Sequence, residues 1–173
     1  CGECVRGLLC SHCNRFLGYY NDSISEIEKV IEYIEKWESE KFTREPYEHV
    51  RMKTYTRDES GRDCVYCKKY KSLEDFSGNK NCCRSCFPLR RHKLPPNLFE
   101  IVGSGCAICG EDGKLVIDHD HSHCSGNAGC YVCFRGMLCI KHNGGLGQVK
   151  DSVSVMRNAI EYLKAFEGAG SVV

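Results

Sequence analysis

Residues 106–110 read C-A-I-C-G, residues 115–121 read L-V-I-D-H-D-H, and residues 134–147 read F-R-G-M-L-C-I-K-H-N-G-G-L-G. Cys106-x-x-Cys109 and Cys139-x-x-His142 are short turns, each aiming two donors at one point, and the segment between them is long enough for a β-hairpin. Four such donors complete a closed tetrahedral zinc site, the kind of staple a small domain with little core needs. Within that loop, His123-Cys124 and Cys130-x-x-Cys133 offer a second tetrahedral set, the alternative being that one of them caps a turn. Val116-Ile117 reads as a short strand ended by Asp118-His119-Asp120-His121. Asn143 directly follows His142, so the metal that orders the start of the next helix also fixes Asn143.

Cleaving a phosphodiester requires a divalent cation on hard oxygen ligands and a base for the attacking water. Asp118 offers a carboxylate and Asn143 an amide oxygen, a pair that suits Mg²⁺ and leaves most of its shell to water and phosphate. His119, neutral near pH 7, can take the proton from water. A lone D-H-D-H is a weak signal, because His/Asp clusters also bind zinc directly. Its position between two zinc half-sites, with Asn behind the last ligand, makes the pattern specific.

The 173 residues contain fifteen cysteines and seven histidines. A secreted disulfide scaffold would be the usual reading of such density. The cysteine count is odd, histidines are interleaved, and the cysteines come as C-x-x-C pairs: Cys1/Cys4, Cys10/Cys13, Cys64/Cys67, Cys106/Cys109 and Cys130/Cys133. That spacing suits zinc in a reducing compartment. No apolar run approaches the roughly eighteen residues of a membrane helix, and no signal-peptide pattern is visible. The net charge is +1, and each Cys4 zinc site adds about −2, so DNA affinity has to come from local patches. Residues 26–48 are rich in Glu, whereas Lys80, Arg84, Arg90, Arg91, His92 and Lys93 form a basic stretch that serves either such binding or a solvated loop.

Residues 1–38 align without a gap to residues 130–167 at a constant offset of 129. Cys1, Cys4, Arg6, Cys10, Asn14 and Asp22 recur as Cys130, Cys133, Arg135, Cys139, Asn143 and Asp151, and Cys13 is replaced by His142, still a zinc ligand. Both copies continue into an amphipathic helix. Its stripe is Ile24, Ile27, Ile31, Ile34 and Trp37 behind Ser23/Ser25, and Val153, Met156, Ile160, Leu163 and Phe166 behind Asp151-Ser152. These are expected to be packing faces. The first copy is half a motif: Cys1, Cys4, Cys10 and Cys13 are candidate ligands, but Asn14 has no Asp-His partner. Either an upstream half completes it, the reading we favour at this point, or it is a zinc-bound packing element. Between the copies, Cys64-x-x-Cys67 and Cys83-x-x-Cys86, fifteen residues apart, read as a zinc ribbon or knuckle, with Cys82 as the alternative to Cys83. Pro95-Pro96 then breaks the chain. The expected domains are 1–41, the partial repeat; 42–94, the ribbon and linker; and 95–173, the complete unit.

On C-A-I-C, I-D-H-D-H, F-R-G-M-L-C-I-K-H-N and G-L-G, residues 106–147 resemble the recombination endonuclease VII family of HNH (His-Me finger) nucleases, typified by phages. The resemblance implies an α+β fold: a small zinc-stapled ββα-metal nuclease domain followed by a helix, with the ribbon and the partial N-terminal repeat added. It implies Asp118 and Asn143 as ligands of a catalytic Mg²⁺, His119 as general base, and His121 and Arg135 as phosphate contacts, although Arg135 could equally tie the loop down. The implied partner is DNA, branched or four-way-junction DNA in particular, in the cytoplasm of a bacterial or phage-infected cell. Paired incisions need two active sites, from a homodimer or from a completed first copy. The alternative is a non-catalytic zinc protein that binds nucleic acid or a partner through a decayed nuclease motif. Two departures stand out: His142 replaces a cysteine, and Gly144-Gly145 follow Asn143 where the first copy has Arg15-Phe16. Two glycines early in a helix cost about 1–2 kcal/mol and are expected to loosen Asn143.

Overall fold

Two left-handed backbone pairs carry the repeat into three dimensions. In the computed structural model, which describes residues 6–41, 43–124 and 126–169, Asn21 and Asp22 have φ of 50° and 57°, and Lys150 and Asp151 have φ of 51° and 58°. Each pair ends one helix and opens another: α1 (Ser11–Tyr19) to α2 (Ile24–Glu40) in the first copy, α5 (Ile140–Val149) to α6 (Val153–Ala169) in the second. Asp22 N–H donates to Leu17 O at 3.1 Å and Asp151 N–H to Leu146 O at 3.2 Å, closing the two corners in the same way. Ser23 Oγ then caps α2 by accepting from Glu26 N–H, as Ser152 Oγ caps α6 by accepting from Val155 N–H. The single amphipathic helix expected in each copy is thus the second of two.

The remaining elements are β1 (Gly61–Asp63), β2 (Tyr70–Ser72), α3 (Cys86–Arg91), α4 (Leu98–Val102), β3 (Leu115–His119) and β4 (Phe134–Cys139). The fold is α+β, with two two-stranded sheets, β1-β2 and β3-β4, among the described residues. The chain divides into two compact units: one of the described residues of Cys1–Glu40, Gly105–Val116 and Met137–Val173, the other of Lys41–Ser104 and Ile117–Gly136. Both are discontinuous, so residues 95–173 contribute to each. No helix among the described residues is long and apolar enough to cross a membrane.

In the first unit the two copies pack on each other, α1 against α5 and α2 against α6. Ile27, Ile31 and Ile34 are buried in one core with their repeat equivalents Met156, Ile160 and Leu163, and each such side chain contributes about 1.5–3 kcal/mol. The side chain of Phe166 lies outside the described residues. At the α1–α5 contact, Arg15 Nε donates to Gln148 Oε1 at 2.9 Å. Gly144 and Tyr19, which occupy the equivalent positions, also meet: a Cβ on Gly144 would sit 2.8 Å from the Tyr19 ring. The contacts are therefore related by a local pseudo-two-fold, and the first copy packs as a partner of the second. Gly145 is tighter still, since a Cβ there would run into Tyr20 Oη and lie 2.5 Å from its Cζ. The glycine pair expected to loosen the helix instead gives two aromatic rings room to close on it.

The second unit is built around β1 and β2, antiparallel with Gly61 opposite Ser72 and Asp63 opposite Tyr70. Tyr66, Phe76, Leu89, Leu94 and Leu98 are buried there with Cys64, Cys83 and Cys86. Arg62 lies 4.4 Å over the Phe76 ring, with its charge in a nearly closed environment.

Gly145→Ala is expected to destabilise the chain by about 1–3 kcal/mol, because the fully buried Tyr20 ring has nowhere to go. Gly147→Ala, with open space at its Cβ, is expected to stabilise it by about 1 kcal/mol. Chemical denaturation of the two variants checks both signs.

Candidate active site and metal centres

Three groups of ligand atoms converge, the donors of each lying within 4.8 Å of one another: Cys64, Cys67, Cys83 and Cys86; Cys106, Cys109, Cys139 and His142; and His123, Cys124, Cys130 and Cys133. The separations resemble the edges of a coordination tetrahedron, about 3.8 Å for Zn–S bonds of about 2.3 Å. Cys130 Sγ is 3.7 Å from Cys133 Sγ and 3.6 Å from His123 Nδ1. His142 Nδ1 is 3.1 Å from Cys139 Sγ and 3.5 Å from Cys106 Sγ. All three groups could bind zinc. Cys83 takes the ribbon position that spacing alone left between it and Cys82. Cys10 and Cys13 lie together at the start of α1, where Cys13 N–H donates to Cys10 Sγ at 3.4 Å. Cys1 and Cys4, their candidate co-ligands, lie outside the described residues.

Titration behaviour points the same way. Burial opposes a charged Cys64, yet backbone N–H donors from Cys83, Cys67 and Tyr66 hold its thiol down to about 7. Burial, followed by a hydrogen bond with Cys83, drives the neighbouring Cys86 up. Packed thiolates cannot all be charged without a cation between them. Cys82 lies beside this group with its thiol pushed up to about 12 by burial and then by the charge of Cys64.

The second group draws on the first copy. Tyr20, on the turn after α1, donates its hydroxyl to the His142 carbonyl at 3.3 Å, and the two ring centroids are 5.7 Å apart. With Nδ1 facing the sulfurs, His142 Nε2 points towards Glu26 Oε2 of α2 at 3.7 Å. A carboxylate behind a ligating histidine favours the tautomer that leaves Nδ1 free for metal. Glu26 is held down to about 2, first by its hydrogen bond from Lys141 and then by that from Lys29. Neither Tyr20 nor Glu26 was identifiable as a site residue. The only hint is that both depart from the repeat, whose equivalents are Val149 and Val155. Asn143 follows His142 on α5 in this unit and is half-buried.

In the other unit, Asp118, His119, His121 and Arg135 come together. Asp118 and His119 are the last residues of β3, and Arg135 is the second of β4. Arg135 forks the Asp118 carboxylate, with Nε on Oδ2 at 2.7 Å and Nη2 on Oδ1 at 2.9 Å, both side chains nearly buried. Arg135 thereby joins β4 to β3 through the Asp118 carboxylate. His119 is 4% exposed, and its Nε2 has no hydrogen-bond partner among the described residues. Burial, then the charge of His121, keeps His119 below its usual value of 6.5. The exposed His121 ring lies 4.4 Å from it. His92 and Gly129 also belong to this cluster. The His92–His119 centroid distance is 5.6 Å, and a Cβ on Gly129 would lie 2.7 Å from His119 Cγ. His92 was legible only as part of a basic run.

The family model for recombination endonuclease VII matches residues 1–36 and 84–165, more than half of the chain, and supports a nuclease acting on DNA. The match takes in both copies of the repeat. No curated protein and no solved structure matches the chain.

The purified chain is expected to carry at least three zinc ions, one for each group, and Cys86→Ser is expected to remove one of them. Elemental analysis by mass spectrometry checks this, and a wild-type chain with fewer zinc ions than groups contradicts it.

Proposed function

The chain belongs to the recombination endonuclease VII family, and from that premise we propose that it is a Mg²⁺-dependent endonuclease that hydrolyses phosphodiester bonds of branched or four-way-junction DNA. The observation that carries the reading is His119: an imidazole at the end of β3, next to Asp118, whose burial disfavours the protonated form, with Nε2 unpartnered among the described residues. A structural histidine buried this deeply would ordinarily have both nitrogens satisfied.

His119 accepts the proton of the attacking water at Nε2. Its lowered affinity for protons keeps it in the basic form at neutral pH. Asp118 and Asn143 would hold the magnesium, and the donor types fit, since both offer the hard oxygen that Mg²⁺ prefers. Magnesium bound there supplies charge neutralisation on the phosphate and the departing oxygen. Arg135 orients the Asp118 carboxylate in a buried setting, where loss of one partner costs about 3–5 kcal/mol. Since Arg135 is engaged by Asp118, His121 is the better candidate for contact with phosphate. Asn143 is oriented from behind by the metal group that includes His142, itself braced by Tyr20 and Glu26 of the first copy. This supports reading the first copy as a packing element rather than a second catalytic half.

Incubation with four-way-junction and linear duplex DNA, with and without Mg²⁺, tests the proposal. Cleavage is expected on the junction only with Mg²⁺, and His119→Ala is expected to lower it about 10²–10⁴-fold. Cleavage should fall on acidification along a limb centred below 6.5, because the site loses its base only when His119 takes up a proton. Identical behaviour of wild type and His119→Ala would favour the non-catalytic zinc protein.

A further inference from the structure

The geometry points to His92 as the positioning residue for His119, acting through the backbone of Gly129. The inference rests on the reading of His119 as general base.

His92 is rigidly placed. It terminates α3, its N–H donating to Pro88 O at 3.2 Å, and Lys93 follows in the left-handed region at φ 49°. Leu94 then returns to Leu89 through a 2.9 Å backbone bond, and both leucines are buried. From this anchor the largely buried His92 ring accepts the Gly129 N–H at Nδ1, at 2.9 Å. An accepting Nδ1 requires the neutral ring to carry its proton on Nε2, so this one bond selects the tautomer.

Gly129 transmits the constraint. It immediately precedes the metal ligand Cys130, and its backbone lies so close to His119 that a Cβ would be 2.7 Å from Cβ and Cγ and 2.9 Å from Cδ2 of that ring. His119 is thus held by the Gly129 backbone, the His92 ring and the His121 ring. A hydrogen bond with the Gly126 backbone also bears on the ring, and its Nε2 has no hydrogen-bond partner among the described residues. The buried Gly129 N–H needs an acceptor. An apolar side chain at position 92 would fill space but leave that donor to seek another partner, drawing the wall off His119. A base displaced by a fraction of an ångström loses rate without losing affinity for DNA.

His92→Leu in the full chain, assayed on four-way-junction DNA with Mg²⁺, is expected to lower kcat about 10–100-fold with KM nearly unchanged. His92→Asn, whose Oδ1 falls close to the position of Nδ1, is expected to restore most of the rate. Exchange of the Gly129 amide proton, followed by NMR, should accelerate in His92→Leu and stay protected in His92→Asn. If the leucine variant fails to fold by circular dichroism and zinc content, His92→Gln takes its place, since its acceptor lies at the ε position and cannot reach Gly129. Wild-type kcat and wild-type Gly129 protection in the leucine or glutamine variant overturn the assignment, as does equal loss of rate in the asparagine variant. Full activity of His119→Ala in the same assay would instead defeat the general-base reading, and the Gly129 exchange would still report on the hold exerted by His92.

Discussion

The convergence of Cys106, Cys109, Cys139 and His142 within 4.8 Å is the constraint on which the first unit hangs. Two of these residues sit in the loop before β3 and two at the junction of β4 and α5. A cation at their centre would tie the loop before β3 to the β4–α5 junction, reinforcing the 2.8 Å bond from Ala107 N–H to Met137 O. Asn143, one residue beyond His142, is positioned as a consequence. The other two groups apply the same logic to the ribbon and to the loop that carries Gly129. With two two-stranded sheets among the described residues, metal staples would stiffen what strand pairing alone holds loosely.

The repeat takes on a physical meaning through packing. Its two copies meet through equivalent helices, so the contact of Arg15 with Gln148 is the counterpart of that of Gly144 with Tyr19. Symmetry is broken where function would demand it. The second copy has glycines where the first has Arg15-Phe16, and the first has Tyr20 and Glu26 where the second has valines. Those four departures converge behind His142: the glycines admit the rings, Tyr20 reaches the His142 carbonyl, and Glu26 faces its Nε2.

Much of this was legible in the sequence, and the boundary of legibility has physical causes. The C-x-x-C pairs among the described residues and the strand that leads to Asp118 are local patterns, and both survive into the structure. The choice between Cys82 and Cys83 was not local, because it depends on which thiol faces Cys64 across the ribbon. The glycine pair looked like a weakness, because its partners lie more than a hundred residues away in sequence. The fork of Arg135 on Asp118 joins residues 17 positions apart, a partnership that no local pattern marks. His92 looked like one more basic residue, since nothing in a linear chain announces that a buried amide at Gly129 needs an acceptor.

On the proposed function, zinc held by cysteine and histidine organises a site whose chemistry belongs to other residues and to magnesium. Cleavage of junction DNA measured before zinc chelation, after it, and after zinc is restored, with magnesium in excess throughout, tests that claim directly. Activity is expected to vanish with the zinc and return with it, in step with recovery of the folded signal. Undiminished cleavage by a zinc-free chain would contradict it.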